Sequence, residues 1–337
     1  MAKARISRAA AAEEFPKPAD FPERLKATRL SASSLQNWLA CPAKFYYGTI
    51  EKLRPEAEVA ESLDAGMLGN VYHATMQALY LGDKAMDPAF KMDRDSVAES
   101  IRSGALVPLT EVTEAYLKKW LGRKEEIRAR IDSLVREELH SSEIAGRNLV
   151  LADIISQYVV KTLERDRALL KERGKDRFRI LGLELARTWE FEGYKFFGFI
   201  DRMDSFEEGE VRIVDYKTGR VEEKDVRIDS GNAAAVTDLL FGPDNGKRPK
   251  IALQLFLYDM YVASETQGQR VVNAIYPAAK LFSEDIRTAE VCPEFCDLVR
   301  ERLKELLAQM ADPAIPIRHT DDRKTCEYCD FKLICGR

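Results

Sequence analysis

Gly198-Phe199-Ile200-Asp201-Arg202-Met203-Asp204, followed by Val211-Arg212-Ile213-Val214-Asp215-Tyr216-Lys217-Thr218-Gly219, places one acid, then a second acid, then a lysine two residues on. Phe196, Phe197, Phe199 and Ile200 lead into Asp201, and the alternation Val211, Ile213 leads into Asp215, so both segments read as strands. Glu207-Glu208-Gly209-Glu210 is a polar turn between them, and the pair is expected as a β-hairpin holding two carboxylates side by side. Side chains at i and i+2 of a strand share a face, which sets Lys217 beside Asp215. Hard oxygen ligands such as these suit Mg²⁺ or Mn²⁺, and the lysine adds a fixed positive charge where an attacked phosphate or a nucleophilic water would sit. The pattern points to metal-dependent cleavage of a phosphodiester. A lone Asp-x-Lys is more often two solvated surface charges, so the reading rests on what the remaining chain adds.

Ser31-Ala32-Ser33-Ser34-Leu35-Gln36-Asn37-Trp38-Leu39-Ala40-Cys41-Pro42 is expected to open a helix over about 33–47, with serines as N-cap and Pro42 as a boundary or kink. A second helix over 69–81 carries His73 near its start; taken alone, such a histidine is more often a packed core residue than a ligand. Leu253, Phe256, Leu257 and Met260 recur at helical spacing, and Gln254 and Tyr258, four apart, share one face of that helix.

These separated motifs resemble the PD-(D/E)XK nucleases, within them the RecB-like group, from about Leu30 to the C-terminus. Asp201 stands in the family's G-x-x-D-R motif, Asp215 and Lys217 in D-x-K, His73 in G-x-x-x-H, and Gln254 and Tyr258 in Q-x-x-x-Y. The resemblance implies that Asp201, Asp215 and His73 hold the metal, that Lys217 stabilises charge or orients water, and that Gln254 and Tyr258 place the DNA strand. Glu184, on a preceding apolar strand, matches a position often acidic in relatives; it is either a supporting carboxylate or an ordinary strand residue.

Cys326-Glu327-Tyr328-Cys329 and Cys335, joined by Cys41 from far upstream, offer four thiolates. Spacing alone admits a structural Zn²⁺ or a 4Fe-4S cluster, and chemistry alone would favour zinc. The resemblance implies iron–sulfur, since one distant cysteine with a C-terminal C-x₂-C-x₅-C looks like the cluster staple of AddB-type nucleases, tying the first helix to the tail. Cys292 and Cys296 are left over and read as buried free thiols.

The expected architecture is α/β: a restriction-endonuclease-like mixed sheet flanked by helices. It comprises a flexible lead over 1–28 and a nuclease domain over 29–337. That domain has a helical insertion at about 82–175, a catalytic core at about 176–290 and a cysteine-rich tail at 318–337. Strands are expected over 178–216 and 271–276, and a helix over 293–310. Gly242-Pro243-Asp244-Asn245-Gly246-Lys247 lacks the spacing and the Ser/Thr of a phosphate loop and reads as a turn.

With 337 residues, 45% hydrophobic and 32% charged, the chain can bury a large core. It shows neither an apolar signal segment nor a run of membrane-spanning length, so a cytoplasmic protein sharing its compartment with DNA is expected. A net charge of −4 is not that of a protein coated in phosphate-binding groups. The basic runs at 118–130 and 161–179 either flank a DNA path or form solvated helix faces laced with ion pairs. The resemblance implies a DNA-end exonuclease of recombination and double-strand-break repair, with a helicase or helicase-nuclease subunit as the expected partner. A CRISPR-adaptation nuclease with the same motifs, and a catalytically silent DNA-binding or scaffolding module, are the alternatives.

Overall fold

Alternating apolar residues carry the middle of the chain into a long antiparallel hairpin, and the other elements are placed against it. The structure is a computed structural model describing residues 13–54, 61–87, 89–222, 225–243, 248–278, 287–289 and 291–337. In chain order these are β1 (Glu14–Phe15), α1 (Phe21–Ala27), β2 (Arg29–Leu30), α2 (Ala32–Ala40), α3 (Pro42–Phe45), α4 (Ala65–Leu81), α5 (Arg94–Arg102) and β3 (Thr110–Thr113). The chain continues with α6 (Glu114–Leu121), α7 (Lys124–Leu139), α8 (Arg147–Glu172), β4 (Arg177–Phe191), β5 (Tyr194–Ser205) and β6 (Glu210–Lys217). After the sheet centre come α9 (Ala233–Phe241), α10 (Lys250–Val262), β7 (Arg270–Pro277), β8 (Arg287–Ala289), α11 (Pro293–Ala311), β9 (Ile317–Arg318) and α12 (Arg323–Glu327).

The main sheet has seven strands in the order β3-β4-β5-β6-β7-β8, with β2 added to β5. It is mixed: β3 to β6 are antiparallel neighbours, whereas β6 and β7 run parallel, joined through α9 and α10. Glu192 and Gly193, with φ of 51° and 76°, make the two-residue turn between β4 and β5, the left-handed pair that matches strand twist. The expected hairpin of β5 and β6 is present, turning through Glu207-Glu208-Gly209.

Helices cover both faces. One core gathers Phe21, Leu35, Trp38, Phe196, Ile200, Ile213, Phe256 and Leu303 from α1, α2, α10, α11 and the sheet. The other gathers Tyr72, Ile131, Val159, Phe178, Val214 and Tyr276, with α4, α7 and α8 on the opposite face. Each fully buried Phe or Leu contributes about 1.5–3 kcal/mol, so helix placement is set chiefly by these faces. Among the described residues, no helix is long and apolar enough to cross a membrane.

Several expectations are corrected. The flexible lead is folded from Glu13 onward, and residues 1–12 lie outside the described residues. Phe21 and Leu25 are fully buried, Pro22 stands in the first turn of α1 where a missing N–H costs nothing, and Lys17 donates to the carbonyls of Gln309 (2.9 Å) and Asp312 (2.6 Å). The helix expected over 33–47 is broken at Cys41, which is extended (φ −162°, ψ 105°) between α2 and α3; of the opening serines, Ser31 is the N-cap, in a reciprocal capping box with Ser34. The inserted region contains a strand, β3, whose β-branched Thr110, Val112 and Thr113 extend the sheet beside β4. Residues 244–247 of the expected turn lie outside the described residues.

Most cations of the two basic runs are ion-paired. Lys161 pairs with Glu164, Arg165 with Glu172, Arg167 with Glu114, Lys175 with Glu207 and Arg177 with Glu111. In the earlier run Lys118 pairs with Glu114, Arg123 with Glu126, and Arg128 with Asp132 and Asp153. They are ion-paired faces that hold α6, α7 and α8 against one another and against the sheet.

Candidate metal centre

β5 and β6 are paired from Asp204/Arg212 to Arg202/Val214, and the described pairing stops before Asp201 and Asp215. With the strands diverging there, the Tyr216 N–H turns to the Asp201 side chain and donates to Oδ2 at 2.7 Å. Both carboxylates are nearly buried, Asp201 at 7% and Asp215 at 2% exposure.

Glu184 joins them. Leu183 pairs with Arg202 and Leu185 with Ile200, so Glu184 falls opposite Asp201. Its φ is +48°, the left-handed region, which costs a non-glycine residue about 1–2 kcal/mol. That strained residue turns the carboxylate toward α4, where His73 Nδ1 lies 3.7 Å from Glu184 Oε1 and 3.6 Å from Asp201 Oδ2. His73, Glu184 and Asp201 each offer a ligand atom within 4.8 Å of the others, the one such group among the described residues.

The tautomer follows from the second ring nitrogen. His73 Nε2 is 3.0 Å from the Tyr216 carbonyl oxygen, which can only accept, so Nε2 carries the hydrogen and Nδ1 faces the carboxylates. Contacts of 3.6–3.7 Å are too long for hydrogen bonds. They suit a shared cation, since ligand atoms around an octahedral ion with bonds of about 2.1 Å stand roughly 3 to 4 Å apart.

Asp215 is held from behind. Its Oδ1 accepts from Tyr258 (2.7 Å), Gln254 Nε2 (3.0 Å) and Lys217 Nζ (2.9 Å). Lys217 Nζ also lies 2.8 Å from Oδ2, though not aligned to donate to it, so this buried oxygen has no hydrogen-bond partner. Gln254 Oε1 accepts from Lys217 at 2.7 Å, fixing the ammonium between the two groups. Gly198 lets α10, which brings Gln254 and Tyr258, come this close: a Cβ there would stand 2.8 Å from the Tyr261 ring.

Charge crowding displaces the proton affinities of the site. Burial pushes the Asp201 carboxyl up and the Asp215 charge adds to it, while His73 and Lys217 pull it back, leaving it at about 7. Burial alone would lower His73, but the Asp201 and Glu184 carboxylates raise it to about 9. Without a cation, a proton on His73 supplies the missing positive charge. Burial and Asp215 together keep the Tyr258 phenol protonated far above its ordinary range. The fit to a divalent ion therefore rests on an orphaned carboxylate oxygen, a free imidazole nitrogen and too many acids for the cations present.

All seven sequence-derived residues lie in this region, with Glu184 grouped with His73 and Asp201. The sequence reading missed the other side of the same strands. Arg202, fully buried, donates to Asp166 on α8 (2.8 and 3.1 Å), to Asp204 (2.7 Å) and to the Tyr216 hydroxyl (3.0 Å). Arg212 forks onto Asp204 (both 2.8 Å), and Tyr276 donates to Asp166 at 2.5 Å. Although burial would raise it, Arg202 holds the Asp166 carboxyl below its usual range. The available signal was Arg202, Asp204 and Arg212 recurring on one face of otherwise apolar strands.

The four expected cysteines share one neighbourhood. Cys41 and Cys335 are buried, Cys326 and Cys329 half-buried. Burial and the nearby thiolates of Cys41, Cys329 and Cys326 push Cys335 up to about 11. Aromatic packing joins the two ends of the chain here: Phe331 meets Tyr47 at 5.7 Å and Phe15 meets Tyr46 at 5.4 Å. Cys296 is buried and Cys292 only half so, at the start of α11.

No curated protein matches the chain. A family model described as the PD-(D/E)XK nuclease superfamily matches residues 29–336, a span containing all of these side chains, and the chain belongs to that superfamily.

Proposed function

We propose that this protein is a Mg²⁺- or Mn²⁺-dependent deoxyribonuclease. The observation that carries this reading is the convergence of His73, Glu184 and Asp201, whose ligand atoms lie within 4.8 Å of one another at the splayed end of β5 and β6, with Asp215 on the adjoining strand and Lys217 fixed between Asp215 and Gln254. A divalent ion bound there would polarise the phosphodiester and lower the pKa of a nucleophilic water. His73 would present Nδ1, Asp201 and Asp215 their carboxylate oxygens, and Glu184 a further one. Lys217 holds a positive charge where the scissile phosphate gains negative charge. Tyr258 and Gln254 hold Asp215 through Oδ1, leaving Oδ2 beside the Lys217 ammonium, and the Tyr216 peptide orients both Asp201 and His73.

We further read residues 29–337 as one nuclease domain with a helical insertion at about 82–175. Its cysteines Cys41, Cys326, Cys329 and Cys335 would hold a structural 4Fe-4S cluster. Tetrahedral Zn²⁺ would draw thiolate sulfurs to about 3.8 Å from one another. The 4Fe-4S assignment over Zn²⁺ rests on the likeness of the cysteine spacing to that of AddB-type nucleases. Cytoplasmic action from DNA ends in recombination and double-strand-break repair, beside a helicase, rests on the likeness of the motifs to RecB-like and AddB-type nucleases.

The test is cleavage of end-labelled linear DNA and covalently closed circles in Mg²⁺ or Mn²⁺. Wild-type protein is expected to degrade the linear substrates, with activity lower by about 10³-fold or more in Asp215→Asn and lost in EDTA. Equal cleavage by wild type and Asp215→Asn would refute the site; equal attack on closed circles would refute the need for an end.

A further inference from the structure

β5 presents two unlike faces as it approaches the metal centre. Phe196, Gly198 and Ile200 face the core, Gly198 lying against Tyr261 of α10. Phe197, Phe199 and Asp201 therefore project from the other face, about 6.8 Å apart along the strand. Phe199 is 48% exposed, unusual for a phenylalanine two residues from a buried acid. Across the ladder its neighbours are small: Ala186 opposite Phe199 and Thr188 opposite Phe197. Nothing on β4 is large enough to cover the rings.

The rings are ordered by their surroundings. Phe197 and Phe199 meet edge to face, with centroids 5.1 Å apart and planes at 82°. The Arg29 guanidinium lies over Phe197 at 5.6 Å, held there because β2 runs parallel to β5 with Arg29 opposite Lys195. Phe197 is thus propped from one side, and Phe199, half-exposed, stands between it and Asp201 in the strand's alternation.

Arg29 also lines a cleft of roughly 960 Å³, with Lys44, Lys52, Arg54, Ser31 and Ser33. Among the described residues none of these four cations is paired with a carboxylate; Arg24, in the same lining, is paired with Glu51, and Asp330 adds a further acid. A polyanion would meet free positive charge here, an aromatic face next, and the metal centre last.

We propose that Phe199, backed by Phe197 and Arg29, is a base-stacking platform that delivers single-stranded DNA to the metal centre, with the sugar-phosphate backbone crossing the cationic cleft. This rests on the deoxyribonuclease reading and adds the substrate class. Stacking requires an unpaired base whose face is free; a duplex offers only its ends. Arg29 links the two parts, lying over Phe197 and lining the cleft, so backbone charge beside a stacked base would fall on the cleft's unpaired cations.

The experiment measures fluorescence anisotropy of an end-labelled oligothymidylate of about 16 nucleotides, and of a blunt hairpin duplex, binding the full chain in EDTA. Wild type should bind the single strand. Phe199→Ala should weaken that binding by about ten-fold and Phe197→Ala by less, with the duplex changed by under about two-fold. Phe199→Trp should retain affinity, while Phe199→Leu, apolar but without a π face, should lose it as alanine does. No single-strand binding by wild type, an unchanged affinity in Phe199→Ala, or a leucine variant equal to wild type would each overturn the platform. Because cleavage is suppressed in EDTA, this result stands apart from the Asp215→Asn cleavage test, whose failure would strike the nuclease reading instead.

Discussion

Two buried charged clusters sit on the same pair of strands, and they are built to opposite rules. Behind β5 and β6, Arg202 and Arg212 face Asp166 and Asp204, two guanidiniums against two carboxylates, and the tyrosines around them supply further hydrogen bonds. At the splayed end, Glu184, Asp201 and Asp215 face one ammonium and one imidazole, and Asp215 Oδ2 is left without a donor. The first cluster is complete as it stands. The second lacks positive charge, and it stands beside residues that hold its acids in place instead of neutralising them. Charge balance separates a structural ion network from a cation site where burial and residue type do not.

The largest effect should come from unbalancing the complete cluster. Asp166→Ala leaves Arg202 buried without its forked partner, and breaking such a pair costs about 3–5 kcal/mol. Urea unfolding should show that loss, together with weaker attachment of α8 to the sheet; a change below about 1 kcal/mol would mean that the network is not what joins them.

The incomplete cluster should respond with the opposite sign. A carboxyl raised from 3.8 to about 7 in the folded protein loses stability as pH climbs through that interval, because the unfolded chain ionises first. At pH 8 without metal, Asp201→Asn removes this loss while Asn Oδ1 can still accept from the Tyr216 N–H. A gain of about 2 kcal/mol in denaturant unfolding is expected, less than the full shift because the contacts to His73 and Lys217 also weaken. Destabilisation would show that the site is balanced after all.

How much of this was legible in the sequence differs between the two clusters. Asp201, Asp215, Lys217, Gln254 and Tyr258 were readable because strand and helix periods fix which side chains share a face, and the hairpin joins neighbours in sequence. His73 and the cysteines needed the resemblance, since periodicity does not reveal that a residue on α4 meets one on β5. Asp166 was hidden by distance: it is 36 residues from Arg202, on a helix whose other charges are surface pairs. Glu184 depended on a left-handed backbone that no strand pattern announces. The paired state of the basic runs was likewise invisible, because partners such as Glu114 and Glu207 lie on other segments.

The smallest effect expected is in pH dependence. Metal ligation needs neutral His73 and ionised Asp201, so binding must release the protons held at about 9 and about 7. Mn²⁺ affinity should therefore strengthen with pH, by at least about ten-fold between pH 7 and 8, or about 1.4 kcal/mol, chiefly from displacing the His73 proton with a smaller share from Asp201. His73→Ala should flatten that slope.

The most direct measurement is a calorimetric Mn²⁺ titration of the wild-type protein and Asp201→Asn at pH 8. Saturable binding by the wild type, weakened about a hundred-fold in the variant, is the predicted result. Equal affinity in the two proteins, or no binding by the wild type, would contradict the claim that the acid-rich end of β5 and β6 is built for a divalent cation.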